Sequence, residues 1–233
     1  MKVMTFNIQH CLDYKKRKID FDLFAEKIKE LSPDFCGLNE VRGKGFLAGY
    51  TNQTEKLSQK TGMKGYFGEA IKVAGLAPYG NAVLSKKPLK SVETIKIPDP
   101  EIKDEKVSYE TRCVMKAVVE EKGKDILFLV THMGLSISER KNAVKTICEI
   151  ADSTDLPVIL MGDFNACPDE ETLKPLYERF TDTLANENVK TFPSDKPETK
   201  IDYIFYRGLE CKNTKVINKV VSDHLPIITE VFL

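Results

Sequence analysis

Leu156-Pro157-Val158-Ile159-Leu160-Met161-Gly162-Asp163-Phe164-Asn165 decides the reading of this chain: an apolar strand runs directly into a carboxylate and an amide able to hold a metal or a water. The same design recurs along the sequence. Asn7 interrupts the end of one strand in Thr5-Phe6-Asn7-Ile8, and Glu40 ends another in Leu38-Asn39-Glu40-Val41. His132 closes Leu129-Val130-Thr131-His132, Asp202 opens Ile201-Asp202-Tyr203-Ile204-Phe205, and Asp223-His224 precede the last strand. A single carboxylate beside an apolar run is usually a surface charge or a cap, because ionised groups avoid burial unless paired or metal-bound. Repetition at six strand ends points instead to one polar site.

Between these ends, apolar runs alternate with helical patterns. Strands are expected over residues 2–8, 34–41, 66–71, 81–85, 91–97, 112–121, 125–131, 156–164, 201–206 and 226–232, with a hairpin turn at Glu121-Lys122-Gly123-Lys124. Phe21, Phe24, Ile28 and Leu31 recur at helical spacing until Ser32-Pro33 stops them. Residues 52–61 form a polar helix closed by Gly62. Ser138 opens a helix with Ala143, Val144, Ile147 and Ala151 on one face, and residues 170–179 form a further helix. Residues 98–110 read as an irregular loop. Many strands and fewer helices in mixed order imply two mixed β-sheets packed face to face with helices outside, an α/β arrangement forming one domain over residues 1–233.

A hydrophobic fraction of 42% supplies a core, and 35 basic against 35 acidic residues argue against a protein that holds nucleic acid by bulk charge. No apolar run reaches the length of a membrane span, and the first residues turn polar too early for a secretory signal, so a cytoplasmic monomer is expected. Cys11, Cys36, Cys113, Cys148, Cys167 and Cys211 lie too far apart for a compact disulfide or zinc framework and read as reduced thiols. Glu40, Asp223 and Asn7 together would offer an oxygen-rich site suited to Mg²⁺ or Mn²⁺. Such a cation beside His and Asp is the outline of phosphoester hydrolysis.

The chain resembles the endonuclease/exonuclease/phosphatase, or deoxyribonuclease I-like, superfamily. The resemblance is carried by Thr5-Phe6-Asn7-Ile8, Gly37-Leu38-Asn39-Glu40-Val41, Tyr79-Gly80-Asn81-Ala82, Thr131-His132, Gly162-Asp163-Phe164-Asn165, Ile201-Asp202-Tyr203-Ile204-Phe205 and Ser222-Asp223-His224-Leu225-Pro226, in family order over the whole chain. It implies a four-layer α/β-sandwich and a Mg²⁺- or Mn²⁺-dependent phosphoesterase acting on a phosphodiester or phosphomonoester. Carried over by position, Glu40 is the principal metal ligand, with Asn7 beside it and Asp223 a further ligand. Asp163 and Asn165 position the attacking water or the phosphate. His224 faces the scissile phosphate with Asp202 fixing its orientation, and His132 donates to a phosphate oxygen. Either Asp163 or His224 takes the proton from water.

Arg112 and Asn81 are carried over as substrate contacts, Arg112 being equally readable as a surface salt bridge, and His10 is an even choice between site and structure. Lys15-Lys16-Arg17-Lys18 is a solvated face or a steering patch for a polyanion. Asn39 stands where Gln is common, and the Trp-Cys-Asp-Arg string of inositol 5-phosphatases is absent, as is any Trp. Three functions compete: a nuclease, a hydrolase of small phosphoesters or lipid head groups, and a non-catalytic binding module on the same scaffold.

Overall fold

The computed structural model describes residues 1–185 and 187–233. Two six-stranded sheets face each other. The first contains β1 (Lys2–Asn7), β4 (Phe35–Arg42), β5 (Lys64–Val73), β6 (Ala77–Ser85), β13 (Glu210–Val216) and β14 (Ile227–Phe232), in the order β13-β14-β1-β4-β6-β5. The second contains β7 (Leu89–Lys96), β8 (Cys113–Glu121), β9 (Lys124–His132), β10 (Val158–Asp163), β11 (Thr181–Asp182) and β12 (Asp202–Arg207), in the order β11-β12-β10-β9-β8-β7. Both sheets are mixed: β1 pairs parallel with β4 and antiparallel with β14, and β10 pairs parallel with β9 and antiparallel with β12. A small ribbon of β2 (Leu12–Asp13) and β3 (Lys18–Ile19) stands apart.

Both faces of the central strands are apolar because both are covered. On β9, Ile126, Phe128 and Val130 meet Val3, Phe35 and Val83 of the other sheet, while Leu127 and Leu129 meet Val144, Ile147 and Ala151 of α3 (Ile137–Asp152). On β4, Cys36 and Leu38 turn the other way, to Phe24 and Ile28 of α1 (Phe21–Leu31) and Leu57 of α2 (Gln53–Thr61). The layers therefore run helix, sheet, sheet, helix. Each large apolar side chain so buried contributes about 2 kcal/mol. Phe35 and Phe128 stack across the sheets with centroids 4.1 Å apart. At Gly37 the sheets approach so closely that a Cβ would lie 2.9 Å from Met161 Sδ.

Besides the short strands β2, β3 and β11, three elements differ from the sequence reading. The α3 helix starts two residues early because Ser136, not Ser138, caps it: Ser136 Oγ accepts from the Glu139 N–H, and the Glu139 carboxylate accepts from the Ser136 N–H. Ser136→Ala is expected to cost about 1 kcal/mol, read as a lower denaturant midpoint with unchanged slope. Residues 170–179 break into a 3₁₀ turn, Glu171–Leu173, and one turn of helix, α4 (Lys174–Tyr177). Edge strand β13 was not anticipated: its Lys212, Asn213, Thr214 and Lys215 carry little apolar signal, and a register shift interrupts it, both common protections of an edge. The loop over 98–110 is irregular as expected, yet tethered, since the Glu105 carboxylate accepts from the backbone N–H groups of Ile137 and Ser138. All six cysteines are free. Among the described residues, no helix is long and apolar enough to cross a membrane.

Candidate active site

Strand parity assembles the site. Val3 of β1 faces the opposite sheet while Met4 and Phe6 face the helices, so Asn7, four residues on from Val3, again points between the sheets. The same count leads from Ile159 and Met161 to Asp163, from Val130 to His132, from Ile204 back to Asp202 and from Val83 back to Asn81. Register then lines these ends up: Asp163 stands opposite both His132 and Asp202, and Asn7 opposite Asn39. The inter-sheet core thus ends in a polar layer below a cleft of ≈ 410 Å³, which Glu40, Tyr79, Arg112, His132, Asp163, Asn165, Phe192, Asp223 and His224 help to line.

Glu40 reaches the cleft through a break in register between Leu38 and Val41 of β4, where its own φ is +59°. This left-handed conformation costs about 1 kcal/mol or more for a residue with a Cβ, and it re-aims the carboxylate. Asn7 Nδ2 donates to Glu40 Oε1 and to Asp163 Oδ2, both at 3.0 Å, tying one carboxylate from each sheet together. Asn39 makes the complementary brace. Its Nδ2 donates to Thr131 O at 2.8 Å and Asn81 Oδ1 at 2.9 Å, and its Oδ1 accepts from the Asp163 N–H at 3.0 Å. Asn39→Ala would strand three buried polar groups and is expected to cost about 3 kcal/mol in chemical unfolding.

Asp163 is the centre of the network. Its Oδ1 accepts from the Asn165 N–H at 2.9 Å, and its Oδ2 lies 3.5 Å from His132 Nε2 and 3.6 Å from His224 Nε2. Burial chiefly, with the Asp202 charge, pushes its carboxyl up to about 7. His224 Nδ1 donates to Asp202 Oδ2 at 2.9 Å, and Phe192 packs on the ring with centroids 4.8 Å apart. Burial would depress that imidazole, but the Asp202 and Asp163 carboxylates prevail and raise it to about 10. His132 is opposite in character: burial, then the Arg112 and His224 charges, hold it far below the usual histidine range.

The site can hold a hard cation. Among the described residues, the one set of three potential ligands with atoms all within 4.8 Å is Asp163, Asp202 and His224, a different set from the Glu40, Asn7 and Asp223 expected. Those three are buried, with His224 bonded to Asp202 at 2.9 Å and its other ring nitrogen 3.6 Å from Asp163, the arrangement of an oriented imidazole. Glu40 is only half-buried, and its carboxylate, which accepts from Asn7 at Oε1 and stands beside the Tyr79 phenol, lines the cleft. Asp223 is also half-buried and lines the same cleft, its Oδ2 accepting from Gln9 Nε2 at 2.7 Å. Two partly exposed carboxylates with room for water fit a Mg²⁺-like ion, which typically takes one or two carboxylates and keeps several waters. Asn7 turns its nitrogen to the carboxylates and its Oδ1 to the Gln9 N–H at 3.1 Å, so it grips Glu40 instead of offering it an oxygen neighbour.

Nine of the eleven residues singled out from the sequence line the cleft or bond directly to one that does: Glu40, Asn7, Asp223, His132, Asp163, Asn165, Asp202, His224 and Arg112. Arg112 has Nη1 3.3 Å from His132 Nδ1 and Nη2 3.2 Å from Glu110 Oε2. Asn81 sits one layer deeper, buried, donating to Cys113 O at 3.3 Å, a cross-sheet brace instead of a substrate contact. His10 does not line the cleft; burial first, then Arg42 and Arg17, lower its pKa to about 4, and its carbonyl accepts from Gln53 Nε2. Sequence reasoning missed Gln9, Tyr79 and Phe192. Tyr79 lay inside a quoted motif, and burial, reinforced by the adjacent Glu40 carboxylate, pushes its phenol up. Phe192 sits in a loop with no periodic signal at all.

Residues 4–224 match the Endonuclease/Exonuclease/phosphatase family. A family protein from Leptotrichia buccalis C-1013-b has the same fold, with a TM-score of 0.80 at 23% identity over 100% of both chains. So has the Bacteroides thetaiotaomicron mannosyl-6-phosphatase Bt3783, at 0.79 and 16% identity over 100% of both chains. In sequence, 77 residues are 34% identical to the UPF0294 protein YE0917 of Yersinia enterocolitica, a stretch covering 32% of this chain and 29% of that protein. With the family matched across nearly its whole length, and with the two-sheet fold and the polar layer at the sheet ends in place, the chain belongs to the endonuclease/exonuclease/phosphatase family, whose members hydrolyse phosphoester bonds.

Proposed function

We propose that this protein is a cytoplasmic phosphoesterase that needs Mg²⁺ or Mn²⁺ and hydrolyses a phosphodiester or phosphomonoester by in-line attack of water. One observation carries the reading: Asp163 is joined through Asn7 to Glu40, and lies beside two imidazoles of opposite character at the floor of one cleft. Glu40, with Asp223, would hold the cation, which when bound supplies charge neutralisation at the phosphoryl oxygens.

The chain's own groups then divide the proton work. His224 lies between Asp202 and Asp163 and keeps its proton, so it stabilises negative charge and is a poor base. Asp163, with a pKa raised to about 7 chiefly by burial, is matched to take the proton from the attacking water. As the water oxygen bonds to phosphorus, the P–O bond to the leaving group breaks, and His132 donates a hydrogen bond to a phosphoryl oxygen. Asn165, held by Met133 O at 2.9 Å, fixes the wall on that side.

A nuclease is the favoured form because the Lys15-Lys16-Arg17-Lys18 turn is tied to the chain that leads to Asp223: the Tyr14 N–H donates to Val221 O, two residues before Asp223, at 2.9 Å, and its hydroxyl donates to Asp195 Oδ1 at 3.1 Å. A hydrolase of sugar phosphates or lipid head groups is the second reading, favoured by a net charge of +0 and by the sugar-phosphatase among the structural relatives. The test is a panel of bis(4-nitrophenyl) phosphate, 4-nitrophenyl phosphate, a sugar 6-phosphate and a single-stranded oligonucleotide, each with Mg²⁺ and Mn²⁺. Salt-sensitive cleavage of the oligonucleotide supports the first form, and preference for the sugar phosphate the second. No turnover with any substrate, together with no Mn²⁺ binding by calorimetry, would leave a non-catalytic binding module.

A further inference from the structure

Among the described residues that line the cleft, Arg112 is the one Lys or Arg. Its charge is already engaged: Nη2 lies 3.2 Å from Glu110 Oε2, and Arg112 is buried while the Glu110 side chain is 37% exposed. Glu110 lines the same cleft, so this acidic group faces the space that a substrate would enter. Its place is set by the chain behind it. The Glu110 N–H donates to Glu139 Oε1 at 2.9 Å, and Glu139 is a buried carboxylate whose other oxygen accepts from the Ser136 N–H at the start of α3. A carboxylate held in a cleft that has to receive an anion opposes binding, because like charges repel and partial exclusion of water strengthens the repulsion.

The opposing charge discriminates between substrates. A dication on Glu40 and Asp223 would offset those two carboxylates, and His224 is shared between Asp163 and Asp202, so Arg112 is the positive charge left over for a substrate. Glu110 cancels it. We propose that Glu110 is a specificity-determining residue that turns the cleft toward phosphodiester monoanions and against phosphomonoester dianions, by neutralising Arg112 and by setting its own charge against the second charge of a monoester. The role rests on the reading of the cleft as a phosphoesterase site and names the substrate class within it. One unit charge about 6 Å from another at a partly exposed site shifts an equilibrium by about tenfold, and a diester, with a single charge, meets only half of the repulsion that a dianion does.

The test compares wild type, Glu110→Gln and Glu110→Asp with Mn²⁺ at about pH 8, where a phosphomonoester has lost its second proton (pKa ≈ 6). Two ratios are read: kcat/KM for 4-nitrophenyl phosphate over bis(4-nitrophenyl) phosphate, and, by calorimetry, affinity for phenylphosphonate, a dianion, over its monomethyl ester, a monoanion with a poor leaving group. Glu110→Gln should move both ratios toward the dianion by about tenfold, and Glu110→Asp, which keeps the charge, should stay near the wild type. If Glu110 served only to hold Arg112 in place, its loss would weaken both classes alike and leave the ratios where they were. Unchanged ratios, a shift toward the monoanion, or no binding of either phosphonate would overturn the proposal. The phosphonates report affinity without turnover, so a shifted affinity ratio beside silence with every substrate would sink the hydrolase reading alone.

Discussion

Asp163→Asn is expected to abolish turnover, by about 10²- to 10⁴-fold in kcat, while the protein stays folded. The substitution is nearly isosteric, and its retained oxygen can still accept from the Asn165 N–H. What it removes is the one base at the centre of the network. It also removes a carboxylate whose ionisation works against the fold: with a folded pKa raised to about 7, chiefly by burial, the native state binds the proton more tightly than the unfolded chain does. Asp163 therefore subtracts stability as pH rises from its unfolded value toward 7, and the variant lacks that loss. Against this stand the hydrogen bond from Asn7 and the contact with His224, so the melting temperature should move by only a few degrees. The wild-type rate should fall as pH drops through about 7, because the base must be ionised. A variant with wild-type turnover on every substrate would exclude Asp163 as the base.

Glu40→Gly should separate stability from activity in a second way. Loss of the carboxylate that would hold the cation removes several kcal/mol of charge stabilisation, or about 10³-fold in rate. Its φ of +59°, however, is a conformation that glycine adopts freely, so relief of about 1 kcal/mol of backbone strain offsets glycine's similar entropic cost. The variant should be inactive yet melt within about 3 °C of the wild type. Glu40→Val, β-branched at a left-handed position, should be both inactive and markedly less stable. Equal melting of the Gly and Val variants would show that the bulge holds no strain.

Much of the site was legible in the sequence because it follows from a period of two. An apolar strand such as residues 156–164 has both faces covered, so its last inward position is fixed by parity, and a carboxylate there must meet whatever ends the neighbouring strands. Glu40 breaks that rule, since the register shift beside it changes the count. Its place at a strand end marked it out and the resemblance implied its ligand role, but parity alone would have turned it toward the helices. Asn39 was noted only as a departure from Gln, and its three-way brace between sheets needs coordinates to see. Arg112 and His10 were undecidable from residue type alone: one faces an imidazole in the cleft, the other is held by Gln53 outside it. Edge strand β13 and the divided helix near residue 174 were misread or missed for a different reason, since neither buries a full apolar face from which a period can be read.

The hydrolysis of bis(4-nitrophenyl) phosphate by chelator-stripped protein, followed while Mn²⁺ or Mg²⁺ is returned, tests most directly the claim that Glu40 and Asp163 work together in one metal-supported cleft. Wild-type protein should be silent after stripping and regain its full rate on titration with the cation, whereas Glu40→Gln should stay silent at every concentration. A rate indifferent to the chelator, or a Glu40→Gln variant that recovers as the wild type does, would contradict it.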